Sequence, residues 1–170
     1  MAFVLTIFGK NGTMRATYSI FFGLLLSISA VAQARIVKLA ELQKVMNEPA
    51  EGVKVINFWA TWCGPCIREL PLFEKLNHDR NDVAVTLVSM DMDLDPNPGK
   101  VHKFVARKKL ESPVLILDET DFNSYGDKIE KEWSGALPAT IVINTKNGKR
   151  RFVESELHEG DLEKLIDEVQ

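Results

Sequence analysis

Cys63 and Cys66 are the only cysteines in the 170-residue chain, and just Gly64-Pro65 separates them. A bridge across two residues closes a tiny loop and adds little stability by restricting the unfolded chain. Such a pair is better explained by its chemistry. The reactive form of a thiol is the thiolate, and the dozen residues after the pair read as a helix. A helix N-terminus offers free N–H groups and the positive end of the dipole, both of which favour an anion. Cys63 is therefore the candidate nucleophile, exposed at the helix start and able to form a mixed disulfide with a substrate. Cys66, one turn further in and more buried, would attack Cys63 and release the reduced substrate. A structural or zinc-binding pair is the alternative. Zinc needs two more ligands, and His78, His102 and His158 lie scattered without ligand spacing. No metal is expected, and no cofactor beyond the Cys63–Cys66 redox-active disulfide.

The elements that must position this pair can be read outward from it. Val53–Ala60 is apolar except for Lys54 and Asn57, which suits a central parallel strand covered on both faces. It delivers the cysteines to an amphipathic helix, Cys66–His78, with Ile67, Leu70, Leu72, Phe73 and Leu76 as its apolar positions and Pro71 inside it. Upstream, Arg35–Val37 reads as a short edge strand and Leu39–Met46 as a helix. Downstream, Val83–Met90 is a second apolar strand. Asp91–Gly99 reads as a solvated acidic loop whose resemblance to a calcium loop fails at Pro96 and His102. A helix over Val101–Leu110, a strand over Pro113–Leu117 and a helix over Phe122–Trp133 follow. Thr140–Asn144 and Arg151–Val153 flank Lys146-Asn147-Gly148, a hairpin signal. Asp161 is the expected N-cap of a last helix with Leu162, Leu165, Ile166 and Val169 inward. Strand–helix–strand order followed by a hairpin predicts an α/β fold, a central mixed β-sheet flanked by helices.

The N-terminus reads differently. No Asp or Glu occurs before Glu41, and Lys10 and Arg15 precede the apolar block Ile20–Val31. Ala32-Gln33-Ala34 supplies an A-x-A cleavage pattern, so residues 1–34 read as a secretory signal peptide and 35–170 as one domain. Met14 is an alternative start, and an uncleaved anchor is the alternative fate, although the apolar block is short of the roughly 20 residues that span a bilayer. Removing residues 1–34 makes the formal charge of −3 two units more negative. Nothing in that balance suggests a nucleic-acid partner. The basic group Lys146, Lys149, Arg150 and Arg151 is most simply a solvated face.

With Trp62-Cys63-Gly64-Pro65-Cys66 at the head of the second helix, this order resembles the thioredoxin fold. The likeness extends to Pro71, five residues after the second cysteine, and to Leu137-Pro138-Ala139-Thr140, which looks like the family's cis-proline segment. The leader, the Asn57-Phe58-Trp59-Ala60-Thr61-Trp62 lead-in and an inserted helix-containing segment around residues 92–112 resemble the exported TlpA/ResA-type branch. The resemblance implies a thiol–disulfide oxidoreductase of the periplasm or cell envelope. It would act as a monomer on disulfides of envelope proteins or peptides, recharged by a membrane thiol-transfer protein. It places Pro138 against the cysteines and exposes the Leu137 backbone to a bound peptide. Gly64-Pro65 between the cysteines matches thioredoxin and suggests a reducing role.

Two residues keep two readings. Trp62 is either an apolar wall for substrate or a core tryptophan. Asn57 either points its amide at the cysteines or makes a structural hydrogen bond. The base for Cys66 is a water by default, because cytoplasmic members carry Asp where this chain has Asn57. Among whole-protein functions, an oxidase or isomerase would use the same residues at a higher potential. A non-catalytic redox-responsive binding module is the rival from another class. A thiol peroxidase is disfavoured because the Pro-x-x-x-Thr-x-x-Cys pattern is absent.

Overall fold

The computed structural model describes residues 34–170. The leader read over residues 1–34 lies outside them, except for Ala34.

Six strands form one mixed sheet in the order β1-β4-β3-β2-β5-β6, with β1 spanning Arg35–Val37, β2 Val53–Trp59, β3 Val83–Ser89, β4 Val114–Leu117, β5 Ala139–Asn144 and β6 Arg150–Val153. The first four are mutually parallel, and β5 and β6 add the antiparallel edge. Five helices cover the sheet: α1 Leu39–Asn47, α2 Gly64–Asp79, α3 Pro98–Lys108, α4 Phe122–Ile129 and α5 Asp161–Val169. This is the thioredoxin-like α/β fold that the sequence implied. No helix among the described residues is long and apolar enough to cross a membrane.

Every residue of β2 is buried, and its alternation divides the core. Val53, Val55 and Trp59 face α2, α3 and α5, meeting Leu70, Phe73, Phe104 and Ile166. Ile56 and Phe58 face α1 and α4, meeting Leu42, Met46, Tyr125 and Ile129. Asn57 has the parity of Val55 and Trp59, so it points toward α2. Lys54 is tolerated in the strand because its ammonium donates to the Val45 and Glu48 carbonyls at the end of α1. Gly52 lets β2 start hard against β3, since a Cβ there would sit 1.7 Å from the Asp82 carbonyl oxygen.

Several element ends differ from expectation. The fourth helix stops at Ile129 rather than reaching Trp133. Trp133 leaves the helical path to pack tilted against Phe58 and edge-on to Phe122, with ring centroids 4.6 and 4.9 Å apart. The Arg150 guanidinium then bonds the freed Ile129 carbonyl at 2.7 Å. The third helix starts earlier than read, at Pro98, because Asn97 caps it through the Gly99 N–H. Gly160, at φ 87°, occupies the N-cap place expected of Asp161. Asp161 is the first helical residue and takes the His158 N–H at 2.9 Å instead. The Asp91–Gly99 loop opens with a 3-10 turn over Asp91–Asp93, and Asp91 is buried rather than solvated.

Candidate active site

The cysteines stand where β2 hands the chain to α2. Cys63 and Cys66 are joined in a disulfide. Cys63 is the N-cap of α2, and its sulfur accepts the Cys66 N–H at 3.3 Å. One of the helix's free N–H groups is thus aimed at the first sulfur, a setting that favours a thiolate. Pro65 fits because the first turn of a helix needs no N–H from it. The helix continues through Pro71, which leaves the Ile67 carbonyl without its usual donor.

Exposure corrects one expectation. Cys63 is only 5% exposed and Cys66 fully buried, so the pair is graded in depth but neither is open. Trp62, in contrast, is 55% exposed, which rules out the core reading. Phe58 and Trp59 are fully buried.

The cis-proline segment reaches the same end of the sheet. Pairing of Phe58 with Ala139 and of Asn57 with Thr140 brings Leu137-Pro138 level with the start of the cysteine loop. The Leu137–Pro138 peptide bond is cis. Leu137 packs against the core cluster that contains both cysteines.

The largest departure lies beneath Cys66. The amide of Asn57, fully buried, donates to Glu69 Oε1 at 2.8 Å and to Thr140 Oγ1 at 3.1 Å. Its partner is therefore a carboxylate, which neither reading of Asn57 foresaw. Glu69 is 1% exposed and lies one turn beyond Cys66 on the same inward stripe of α2, with Leu70 and Phe73. Its Oε2 accepts the Leu157 N–H at 2.7 Å. Burial pushes the Glu69 carboxyl up to about 7, against the Leu157 and Asn57 donors, which favour the anion. A group that titrates there can take up and return a proton at neutral pH.

A signal for Glu69 existed in the sequence. Counting the buried stripe from Cys66 gives Glu69, Leu70, Phe73 and Leu76. Counting it from Ile67 hides the glutamate, and Ile67 is only partly buried.

A second carboxylate holds the loop from the other side. Asp91 accepts the Thr61 N–H at 3.0 Å, the Thr61 hydroxyl, and the Ser89 hydroxyl at 2.8 Å. It fixes the backbone two residues before Cys63. The described groove of about 200 Å³ lies elsewhere, between the C-terminal half of α2 and the start of α5, lined by Leu72, Leu76, Arg80 and Leu162 among others. Among the described residues no group of three or more His, Cys, Asp or Glu is placed to hold a metal.

A strand-delivered disulfide capping a helix, beside a cis-proline strand, defines a thioredoxin-like protein. The chain belongs to the Redoxin family, whose model matches residues 33–166. It is 30% identical over 118 residues to the thiol-disulfide oxidoreductase ResA of Geobacillus thermodenitrificans, covering 68% of this chain and 62% of that protein. It is 27% identical over 100 residues to the sporulation thiol-disulfide oxidoreductase A of Bacillus subtilis, covering 58% of this chain and 57% of that protein. The chain thus spans about three fifths of the length of these two relatives. A thioredoxin-related protein from Neisseria meningitidis serogroup B superposes with a TM-score of 0.58 at 24% identity, covering 74% of this chain and 89% of that one.

Proposed function

We propose that the protein is an exported thiol–disulfide oxidoreductase that reduces disulfides of envelope proteins or peptides. The observation that carries this reading is the Cys63 sulfur at the N-cap of α2 with the buried Glu69 one turn inside Cys66. Its likeness to ResA and to the sporulation oxidoreductase supports the same chemistry.

In the reduced protein the Cys63 thiolate attacks one sulfur of a substrate disulfide. A mixed disulfide forms, and the substrate's other sulfur leaves as a thiolate that takes a proton from water. Cys66 then loses its proton to Glu69 and attacks the Cys63 sulfur. That step closes the Cys63–Cys66 bond and frees the second substrate thiol. Two electrons pass to the substrate, and a dithiol donor restores the pair. A membrane thiol-transfer protein fits that role. Glu69 replaces water as the base, and Asn57 orients it. Trp62 and the Leu137–Pro138 segment form the wall and edge against which a peptide lies.

The reduced protein should cleave a model peptide disulfide, and Cys63→Ser should abolish turnover. Retained turnover in that variant would refute the assignment. Cys66→Ser should accumulate mixed disulfides on Cys63. Direction is set by the reduction potential. A reducing role requires a value nearer thioredoxin's, about −270 mV, than that of a strong periplasmic oxidant, about −120 mV. A measured value at the oxidising end would reverse the reading.

A further inference from the structure

Three of the four residues after β6 touch three separate parts of the site. Glu154 accepts the Ser134 N–H at 3.1 Å, the Ser134 hydroxyl and the Ala136 N–H at 2.8 Å, all through Oε1. Ser134–Ala136 is the turn that leads directly into Leu137-Pro138. Glu156 forms a two-pronged ion pair with Arg68, Nε at 2.9 Å and Nη2 at 2.6 Å. Arg68 lies on the first turns of α2, where its guanidinium passes within 3.7 Å of where a Cβ on Gly64 would stand. Next in the chain, the Leu157 N–H reaches Glu69 Oε2, and the Leu157 side chain is buried in the cluster that holds the cysteines.

We propose that residues 154–157 form a positioning strap for the dithiol chemistry. Glu154 sets the turn that carries Leu137 and Pro138, and the Arg68–Glu156 pair holds the Leu157 amide on the Glu69 carboxylate. The inference rests on the oxidoreductase reading and adds to it. One short segment couples where a peptide docks to how the Cys66 proton is received. Neither Glu154 nor Glu156 need touch substrate, because each acts through backbone it holds in place. The alternative, that these are ordinary surface contacts, would make each worth little and none specific to a step.

The charged and polar groups facing Glu69 come from every side. Asn57 on β2 donates to it directly, with Thr140 on β5 behind that amide. Cys66 shares its helix face, and Glu156 on the strap and His158 just beyond it act on it through space. Arg68→Ala releases the Leu157 amide, which favours the Glu69 anion, so the Glu69 midpoint should rise.

The test uses three variants of the full chain. Glu154→Ala should raise KM for a disulfide-bridged peptide about fivefold with little change in kcat, the size expected for one lost hydrogen-bond set. Glu154→Gln keeps an oxygen in the Oε1 place and should restore most of that loss. Arg68→Ala should speed hydrogen exchange of the Leu157 amide about tenfold. It should also raise the Glu69 midpoint, followed by its carboxyl carbon resonance, by about half a unit, with KM unchanged. An unmoved KM in Glu154→Ala, failure of Glu154→Gln to rescue, or an unchanged Leu157 amide would overturn the strap. If the Glu69 midpoint moves and the pH profile of turnover does not follow it, the strap stands and Glu69 is not the proton acceptor.

Discussion

Two carboxylates are buried beside the cysteine loop, and they are held in opposite ways. Asp91, 2% exposed, is ringed by the donors of Thr61 and Ser89. Glu69, 1% exposed, has two donors, the Asn57 amide and the Leu157 N–H, while Glu156 and His158 act on it only through space. An acid surrounded by donors is held in place and serves as an anchor. An acid with few donors in an apolar pocket stays free to gain or lose a proton. One shell of the site therefore fixes geometry and the other moves charge, and the difference lies in donor count rather than depth.

Removing the anchor should cost most. Asp91→Ala strands the Thr61 N–H and two hydroxyls, and we expect a loss of about 3 kcal/mol in unfolding free energy. Urea melts would show it. A loss under about 1 kcal/mol would mean that Asp91 is no anchor.

Glu69→Gln should behave in the contrary manner. The folded-state pKa of about 7 lies above the ordinary value of 4.5. The native protein therefore binds this proton more readily than the unfolded chain, and the stability it contributes is fully present below pH 4.5. That contribution is lost as pH rises to 7, about 3 kcal/mol in all. The glutamine variant should lack this slope and match or exceed the parent in stability at pH 8, while resolution of the mixed disulfide slows. Equal slopes in parent and variant would erase the contrast between the two acids.

What could be read in advance follows from which interactions are local. The apolar runs of β2 and β3, the Cys-x-x-Cys at a helix start and the approach of Pro138 all express short-range pattern or family likeness. Asp91 escaped notice because Asp91-Met92-Asp93-Leu94-Asp95 has the look of a solvated acidic run. Besides its neighbour Ser89, a partner thirty residues earlier, Thr61, gives the first of these acids a reason to be buried. Glu69 escaped because one polar residue on an apolar stripe is invisible until the phase of the stripe is known. Asn57 could be flagged as needing a partner, but its partner lay on another element. The end of α4 was misplaced for the same reason, since Trp133 answers to Phe58 rather than to its own helix.

The finest discrimination is at Thr61, which meets Asp91 through both backbone and side chain. Thr61→Val keeps the shape and the N–H bond and removes only the hydroxyl. One donor fewer on a carboxylate that retains others should cost about 1 kcal/mol, a fall of about 3–4 °C in Tm for a domain of this size. Because the backbone bond persists, the position of Cys63 should hold and peptide-disulfide turnover should stay near the parent's. A large drop in turnover with so small a stability loss would show that the hydroxyl, and not the backbone bond, sets the loop. Asp91 would then belong with the groups that tune the chemistry, and the division between anchor and proton carrier would have to be redrawn.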